Sequence, residues 1–337
     1  MSLLFNLRFF TAEDIKRVLP MHEAIKVAKE AFIQLSSGQA VVPPRTHLEI
    51  PEYKTTTLIM PSYLPKCKQI GLKVISLCDD NPRKGLPLVY ALMFVLDVST
   101  GVPLAVMDGS YLTALRTGAA SGAATDVLAR QDAQVAAIFG AGIQGRTQLE
   151  AIVAVRPIKK AYIFELDAEI AKKYINEMRE KLLLDIEIAE SSQVLRQADI
   201  ICTVTTSGSP VFVDRDLKPG VHINAVGSYK PHVREIPGET VVRAKIVVDH
   251  RDSSLSEAGD LIIPMQQGLI DKKNIQAEIG EILAGLKPGR SSESEITLFK
   301  SVGNAVQDLT AASQVLSNAE KMKNAYHTIN KLSHNCS

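Results

Sequence analysis

AQVAAIFGAGIQGRTQLEAIVAV, residues 133–155, sets Gly140, Gly142 and Gly145 between an apolar run and a stretch that reads as helix. Three glycines at GxGxxG spacing say little alone, because glycine marks turns everywhere. Here the context is supplied as well. The run Val135 to Phe139 reads as a strand ending in the motif, a helix starts inside it, and the acidic Glu165 closes the next apolar run 25 residues after Gly140. That order is the fingerprint of a dinucleotide-binding βαβ unit. Gly140 permits the tight turn, Gly142 lets backbone approach a pyrophosphate, and Gly145 lets helix and strand pack closely. The free N–H groups of the helix N-terminus then face the phosphates, with Ile143 and Gln144 at the same turn. Glu165 is placed to accept the adenosine ribose hydroxyls, and Asp167 adds a second negative charge that repels a 2′-phosphate. NAD is therefore expected over NADP, although Lys172 and Lys173 leave NADP open.

Outward from the motif, apolar runs VAAIFG, KAYIFEL, ADIICTVTT, HINAVG and AKIVVD alternate with helical stretches such as RTQLEAIVAV and DAEIAKKYINEMREKL. Alternation at this pace predicts parallel βαβ units and a doubly wound α/β sheet of the Rossmann kind. Thr205, after ADIICTVTT, and Val226 and Gly227, ending HINAVG, fall where an open parallel sheet presents its ligand contacts. Toward the C-terminus, EIGEILAGLKPG reads as helix, EITLFKSVG as a further run, and NAVQDLTAASQVLSNAEKM as a last helix expected to return to the first domain.

The part before the motif reads differently. TAEDIKRVLPMHEAIKVAKEAFIQLSSGQ opens with Thr11 and Asp14 in capping-box spacing, is divided by Pro20 and closes at Gly38. TTTLIM, QIGLKVISL, LVYALMFVLD and VPLAVMD then form an antiparallel meander, giving an α+β domain. YLTALRTGAASGAATDVLARQ (111–131) reads as a small-residue helix whose Ala114, Gly118 and Gly122 permit close packing against another backbone. With 337 residues, two domains are expected. Residues 1–120, joined by 308–337, would bind substrate and dimerise; 121–307 would be the Rossmann NAD-binding domain.

Composition narrows the partners. With 38 basic against 37 acidic residues, nothing points to nucleic acid. Four cysteines (Cys67, Cys78, Cys202 and Cys336) stand far apart, and the histidines show no ligand spacing, so reduced thiols, a cytoplasmic setting and no metal are expected. MSLLFNLRFF lacks an export signature, and the apolar run 88–96 is too short for a bilayer, so no membrane segment is expected.

PPRTHLE (43–49), GLKVISLCDDNPRKGLP (71–87), TGVPLAVMDGSYLTALRTGAASG (100–122), GAGIQGRTQLEA (140–151), INAVGSYKP (223–231) and AEIGEILAGLKPGR (277–290) together resemble the ornithine cyclodeaminase and mu-crystallin family, in matching order over nearly the whole chain. The family includes ornithine and lysine cyclodeaminases, an archaeal alanine dehydrogenase, cyclic ketimine reductases and the thyroid-hormone-binding mu-crystallin. The resemblance implies a Rossmann domain joined to a substrate domain that makes a homodimer through its strands. It implies that Arg45 grips the substrate α-carboxylate, for which a planar guanidinium is suited. It implies that Lys73, inside an apolar strand, stands beside the reacting carbon and moves protons, desolvation leaving it able to exchange one near neutral pH. Arg116 matches the arginine that reaches cofactor phosphate near the reaction centre, with Thr117 and Gly118 at the domain crossing; an interdomain salt bridge is the plainer alternative. Ser301 and Val302 match positions near the nicotinamide and the substrate.

One segment departs from its relatives. Cyclodeaminases and the archaeal alanine dehydrogenases carry an aspartate in a Gly-small-Asp-x-Pro stretch, whereas here Gly227-Ser228-Tyr229-Lys230-Pro231 puts tyrosine there. Cyclodeamination uses that carboxylate to manage amine protons and a distal ammonium. A preformed cyclic imine has one carboxylate, no distal ammonium, and needs one hydride at C2. Reduction of Δ1-pyrroline-2-carboxylate to L-proline is therefore the expectation. Amino-acid dehydrogenase, ornithine cyclodeaminase and non-enzymatic binder stay open.

Overall fold

A computed structural model describes the backbone of residues 7–334 and the side chains of residues 7–323. The first six residues of MSLLFNLRFF and Cys336 lie outside the described residues. The chain divides into two compact units, one made of Met1–Val27, Gly38–Arg116 and Ala305–Ser337, the other of Ala28–Ser37 and Thr117–Asn304.

The first unit begins with β1 (Arg8–Phe10), α1 (Ala12–Val18) and the opening turns of α2 (Met21–Ser36). Thr11 accepts from Asp14 N while the Asp14 side chain accepts from the Thr11 backbone, so the capping box is formed. The strands β2 (Thr46–Ile50), β3 (Thr55–Leu64), β4 (Gln69–Cys78), β5 (Val89–Asp97) and β6 (Pro103–Asp108) follow. They make a six-stranded sheet of order β1-β6-β5-β4-β3-β2. The meander is antiparallel, and β1 joins it parallel to β6.

Register assigns the two faces. Met60, Lys73, Met93 and Met107 form one rung across β3 to β6, and all four are buried. One residue along, Ile59, Val74 and Leu92 form a rung on the opposite face, where Ile59 and Leu92 are exposed. The C-terminal helix Ala305–His334 covers the methionine face, against β3, β4 and β5. Gly71 permits that approach: a Cβ there would lie 3.0 Å from Leu309 Cβ.

Helix α3 (Gly109–Leu128) carries the chain from Arg116 in the first unit to Thr117 in the second. The second unit contains β7 (Val135–Phe139), α4 (Ile143–Val155), β8 (Lys160–Phe164), α5 (Ala168–Leu182), β9 (Asp185–Ile188), β10 (Ile200–Thr203) and β11 (His222–Ala225). After these come α6 (Gly238–Arg243), β12 (Lys245–Val248), α7 (Arg251–Glu257), α8 (Gly259–Gln266), β13 (Ile275–Glu278), α9 (Ile279–Leu283) and β14 (Thr297–Lys300). The C-terminal helix is then α10.

All eight strands pair parallel, in the order β13-β12-β14-β11-β10-β7-β8-β9. This is a doubly wound sheet, with order reversal between β7 and β10. Apolar clusters bury both faces, as parallel strands require. Two edge strands of this sheet escaped the sequence reading, as did β1 and β2 at the edges of the first sheet. β9 alternates acids with isoleucines and buries only Ile186, and β13 precedes α9 where the whole segment 278–289 read as helix. The small-residue face of α3 is used as expected at Gly118, where a Cβ would lie 2.5 Å from Thr147 O of α4.

Candidate active site

The glycine motif forms a cradle in the second unit. Gly140 has φ +100, closed to most side chains, and a Cβ there would meet Val204 O at 2.8 Å. A Cβ on Gly145 would lie 2.1 Å from Gly140 O, so only glycine lets α4 start this close to β7. Gly142 is the N-cap of α4, and a Cβ there would meet nothing within 4 Å. Two glycines are thus demanded by packing, while the third leaves open space over a helix N-terminus. That space suits a pyrophosphate. Ile143 is exposed there, and Gln144 Oε1 is buried without a hydrogen-bond partner.

Glu165 follows β8 and is held by the motif's own backbone. Its Oε2 accepts from Ala141 N at 2.9 Å, and its Oε1 from Leu166 N at 2.8 Å and Asp167 N at 3.2 Å. Asp167 caps α5, accepting from Glu169 N and Ile170 N. Lys172 is paired with Glu169 at 2.8 Å. Both carboxylates therefore sit at the tip of β8, where a 2′-phosphate would meet negative charge.

At the carboxyl ends of the central strands, a carboxylate absent from the sequence reading organises the predicted residues. Glu235 Oε1 accepts from Thr205 N and Oγ1, each at 2.7 Å, and Oε2 accepts from Ser228 N at 3.1 Å. A Cβ on Gly227 would collide with Glu235 Oε2 at 2.5 Å. Burial pushes the Glu235 carboxyl up, opposed by the Thr205 hydrogen bond and the Lys300 charge. Lys300 is fully buried, 2.8 Å from Asp260 Oδ2, and also donates to Ser228 O. Asp249 does similar service beyond β12: its Oδ2 accepts from Ser301 Oγ at 2.8 Å, Val302 N at 3.0 Å and Gly303 N at 2.9 Å. Val226 and Tyr229 are half-buried, and Tyr229 packs against the apolar core.

The first unit holds a charged cluster under the methionine rung. Lys73 is 1% exposed, and its Nζ lies 2.7 Å from Asp308 Oδ2. Arg116 Nε donates to Asp308 Oδ1 at 2.9 Å, and its Nη1 to Gln307 Oε1 at 2.8 Å. Burial drives the Lys73 amine down, Asp308 pulls it back, and Arg116 and Arg45 push it down again; it settles at about 7. The charge of half-buried Arg45 thus reaches the same amine. Burial alone would raise Asp308, but Arg116 and Lys73 overcome it and hold the carboxyl below its usual range. The structure thus joins Arg45, Lys73 and Arg116 in one unit and adds Asp308, which the sequence reading passed over. Its signal was an acid in the first turn of a helix otherwise apolar on that side. The pair that Arg116 makes with Asp308 lies within the first unit and is not the interdomain salt bridge given above as its plainer alternative.

Among the described residues no group of three His, Cys, Asp or Glu side chains is placed to hold a metal, and no helix is long and apolar enough to cross a membrane.

A two-unit chain with a glycine cradle on a doubly wound sheet and a buried lysine–arginine–carboxylate cluster defines a dinucleotide-binding fold of one particular kind. The chain belongs to the ornithine cyclodeaminase/mu-crystallin family, whose model matches residues 7–323. It is 39% identical over 304 residues to a Δ1-pyrroline-2-carboxylate reductase of Bacillus cereus, covering 90% of this chain and 93% of that one. The structure of Thermococcus litoralis Δ1-pyrroline-2-carboxylate reductase in complex with NADH and L-proline matches with a TM-score of 0.90 and 43% identity, over 94% of this chain and 98% of the other. An archaeal alanine dehydrogenase dimer with bound NAD matches with a TM-score of 0.87 and 36% identity, over 94% and 96%.

Proposed function

We propose that this chain is an NADH-dependent reductase of a cyclic imino acid, converting Δ1-pyrroline-2-carboxylate to L-proline. The observation that carries the reading is the pair of buried cations, Lys73 and Arg116, sharing the carboxylate of Asp308. One carboxylate between two cations leaves a net positive charge for an anionic substrate. The likeness to two reductases of this substrate, one solved with NADH and L-proline, supports the same choice.

Gly140, Gly142, Ile143, Gln144 and Gly145 would hold the pyrophosphate, Glu165 the adenosine ribose, and Thr205, Val226, Gly227 and Ser301 the nicotinamide half. NADH bound there supplies the hydride that arrives at C2 of the imine. Arg45 grips the substrate carboxylate in a bidentate fork, and Arg116 and Thr117 secure the cofactor's inner phosphate or the substrate beside it. Lys73, titrating at about 7, both attracts that carboxylate and can release a proton to the ring nitrogen. Val302 contributes an apolar contact to the ring. Tyr229 leaves no carboxylate where relatives use one on a distal ammonium, which favours the preformed imine over ornithine or free ammonia.

The division of labour follows the domains: 1–120 with 308–337 for substrate and dimerisation, 121–307 for NAD. A homodimer through the first unit's sheet is supported by the exposed apolar residues Ile59, Tyr90 and Leu92 and by the dimeric alanine dehydrogenase relative. The unpaired Cys67, Cys78 and Cys202 support a cytoplasmic setting.

The test is loss of NADH absorbance with the purified protein and Δ1-pyrroline-2-carboxylate, Δ1-piperideine-2-carboxylate, or pyruvate plus ammonia, beside proline formation from ornithine. Oxidation with the cyclic imines is expected. Oxidation only with pyruvate and ammonia, or proline from ornithine without net NADH change, would overturn the reading.

A further inference from the structure

We propose that Asp308 is a positioning residue for imine reduction, its carboxylate fixing Lys73 and Arg116 at one spacing and holding a proton on Lys73. This rests on the reductase reading. Three elements bring the cluster together inside the first unit: β4 supplies Lys73, α3 supplies Arg116 and the first turn of α10 supplies Asp308. The chain is built to deliver this contact. Gly71 stands two residues before Lys73 on the same face of β4, and its missing side chain lets Leu309 seat against the strand. Seating Leu309 places Asp308 beside the amine. Each carboxylate oxygen then meets one cation, Oδ2 at Lys73 Nζ and Oδ1 at Arg116 Nε. Gln307 takes a second nitrogen of the same guanidinium, so consecutive residues of α10 hold Arg116 in a fixed plane.

The charges facing Lys73 are Asp308 from α10, Arg116 from α3 and Arg45 from the segment before β2, while its rung neighbours Met60 and Met93 carry none. Asp308 is the negative member of that set. Without its charge, burial and two guanidinium groups all favour the neutral amine, and a neutral amine neither attracts the substrate carboxylate nor donates a proton. Asp308→Asn keeps the shape and removes the charge; Asp308→Glu keeps the charge and moves it by one methylene.

The experiment pairs pH profiles of kcat/KM with 13C NMR of lysine Cε, the Lys73 signal being the one lost in Lys73→Arg, with NADH binding by fluorescence as the control for folding. In Asp308→Asn both the alkaline limb and the NMR midpoint should move down by at least about one pH unit, which is about tenfold in the protonation constant. Asp308→Glu should keep the midpoint near that of the wild type while kcat falls. A kcat/KM scaled down evenly with an unmoved midpoint in Asp308→Asn would overturn the proposal and leave a structural ion pair. A displaced NMR midpoint in a protein whose wild type reduces no imine would uphold the hold on Lys73 and sink the reductase reading instead. If Asp308→Asn fails to bind NADH, Asp308→Glu decides: a midpoint displaced downward despite the retained charge would refute the electrostatic role.

Discussion

Replacing Lys73 by Met puts a thioether of similar length into the Met60–Lys73–Met93 rung and separates what the amine does for catalysis from what it does to stability. Reduction should fall by orders of magnitude. Stability should change with pH in a defined direction. The folded amine titrates at about 7 against 10.5 when free, a preference for the neutral form on the order of 5 kcal/mol. Because the folded value lies below the unfolded one, the unfolded chain binds more protons throughout that window, and the Lys73 contribution to stability rises with pH across it. Integrated between about pH 7 and pH 9, the wild type gains about 2 kcal/mol from this group that the Met variant does not. Urea unfolding of both proteins by circular dichroism at several pH values between about 7 and 9 measures this, since groups not coupled to Lys73 cancel in the difference and its carboxylate partner Asp308, held below its usual range, does not titrate in that window. A difference that stays flat, or declines as pH rises, would refute the buried, largely desolvated lysine on which the site is built.

Gly142→Ala should fold with wild-type stability, because its Cβ meets no protein atom, yet weaken NADH binding at least about tenfold by filling the space over the α4 N-terminus; unchanged affinity in a fluorescence titration would move the pyrophosphate elsewhere. Glu165→Ser removes the carboxylate at the tip of β8 and should raise the NADPH-to-NADH ratio of kcat/KM several-fold, chiefly by lowering the KM for NADPH; an unaltered ratio would deny Glu165 its part in cofactor choice. Glu235→Gln sets an amide N–H against the Ser228 or Thr205 N–H, which should lower stability by about 1–3 kcal/mol and loosen NADH binding while substrate KM holds; a neutral effect on thermal unfolding would contradict the tie between the β10 and β11 turns.

Much of the cofactor half was legible because its physics is local. A strand, a positive-φ glycine, a helix start and an acid at the next strand end all lie within one βαβ unit, and the parallel alternation around it follows from chain periodicity. The antiparallel meander was legible for the same reason. β9 and β13 were not, because each is four residues long with two apolar positions, Ile186 and Ile188 or Ile275 and Ala277, too short a run to set a period of two apart from its surroundings. Lys73 was visible as a charge inside an apolar strand, but periodicity could not say which face it takes. Register decided that, by setting it level with Met60 and Met93.

Asp308, Glu235, Asp249 and Lys300 lay outside the sequence reading because each acts on partners far along the chain. Asp308 lies 235 positions from Lys73 and 192 from Arg116, and only the seating of α10 on β4 at Gly71 makes them neighbours. The sequence by itself determined a dinucleotide fold, the acid at the tip of β8 and the candidate cations, since these depend on residue type and short spacing. The tertiary structure alone decided which charges share a buried space. A pKa near neutrality and a defined proton balance arise from burial and from the sum of charges around one nitrogen, and neither is a property of any segment taken singly.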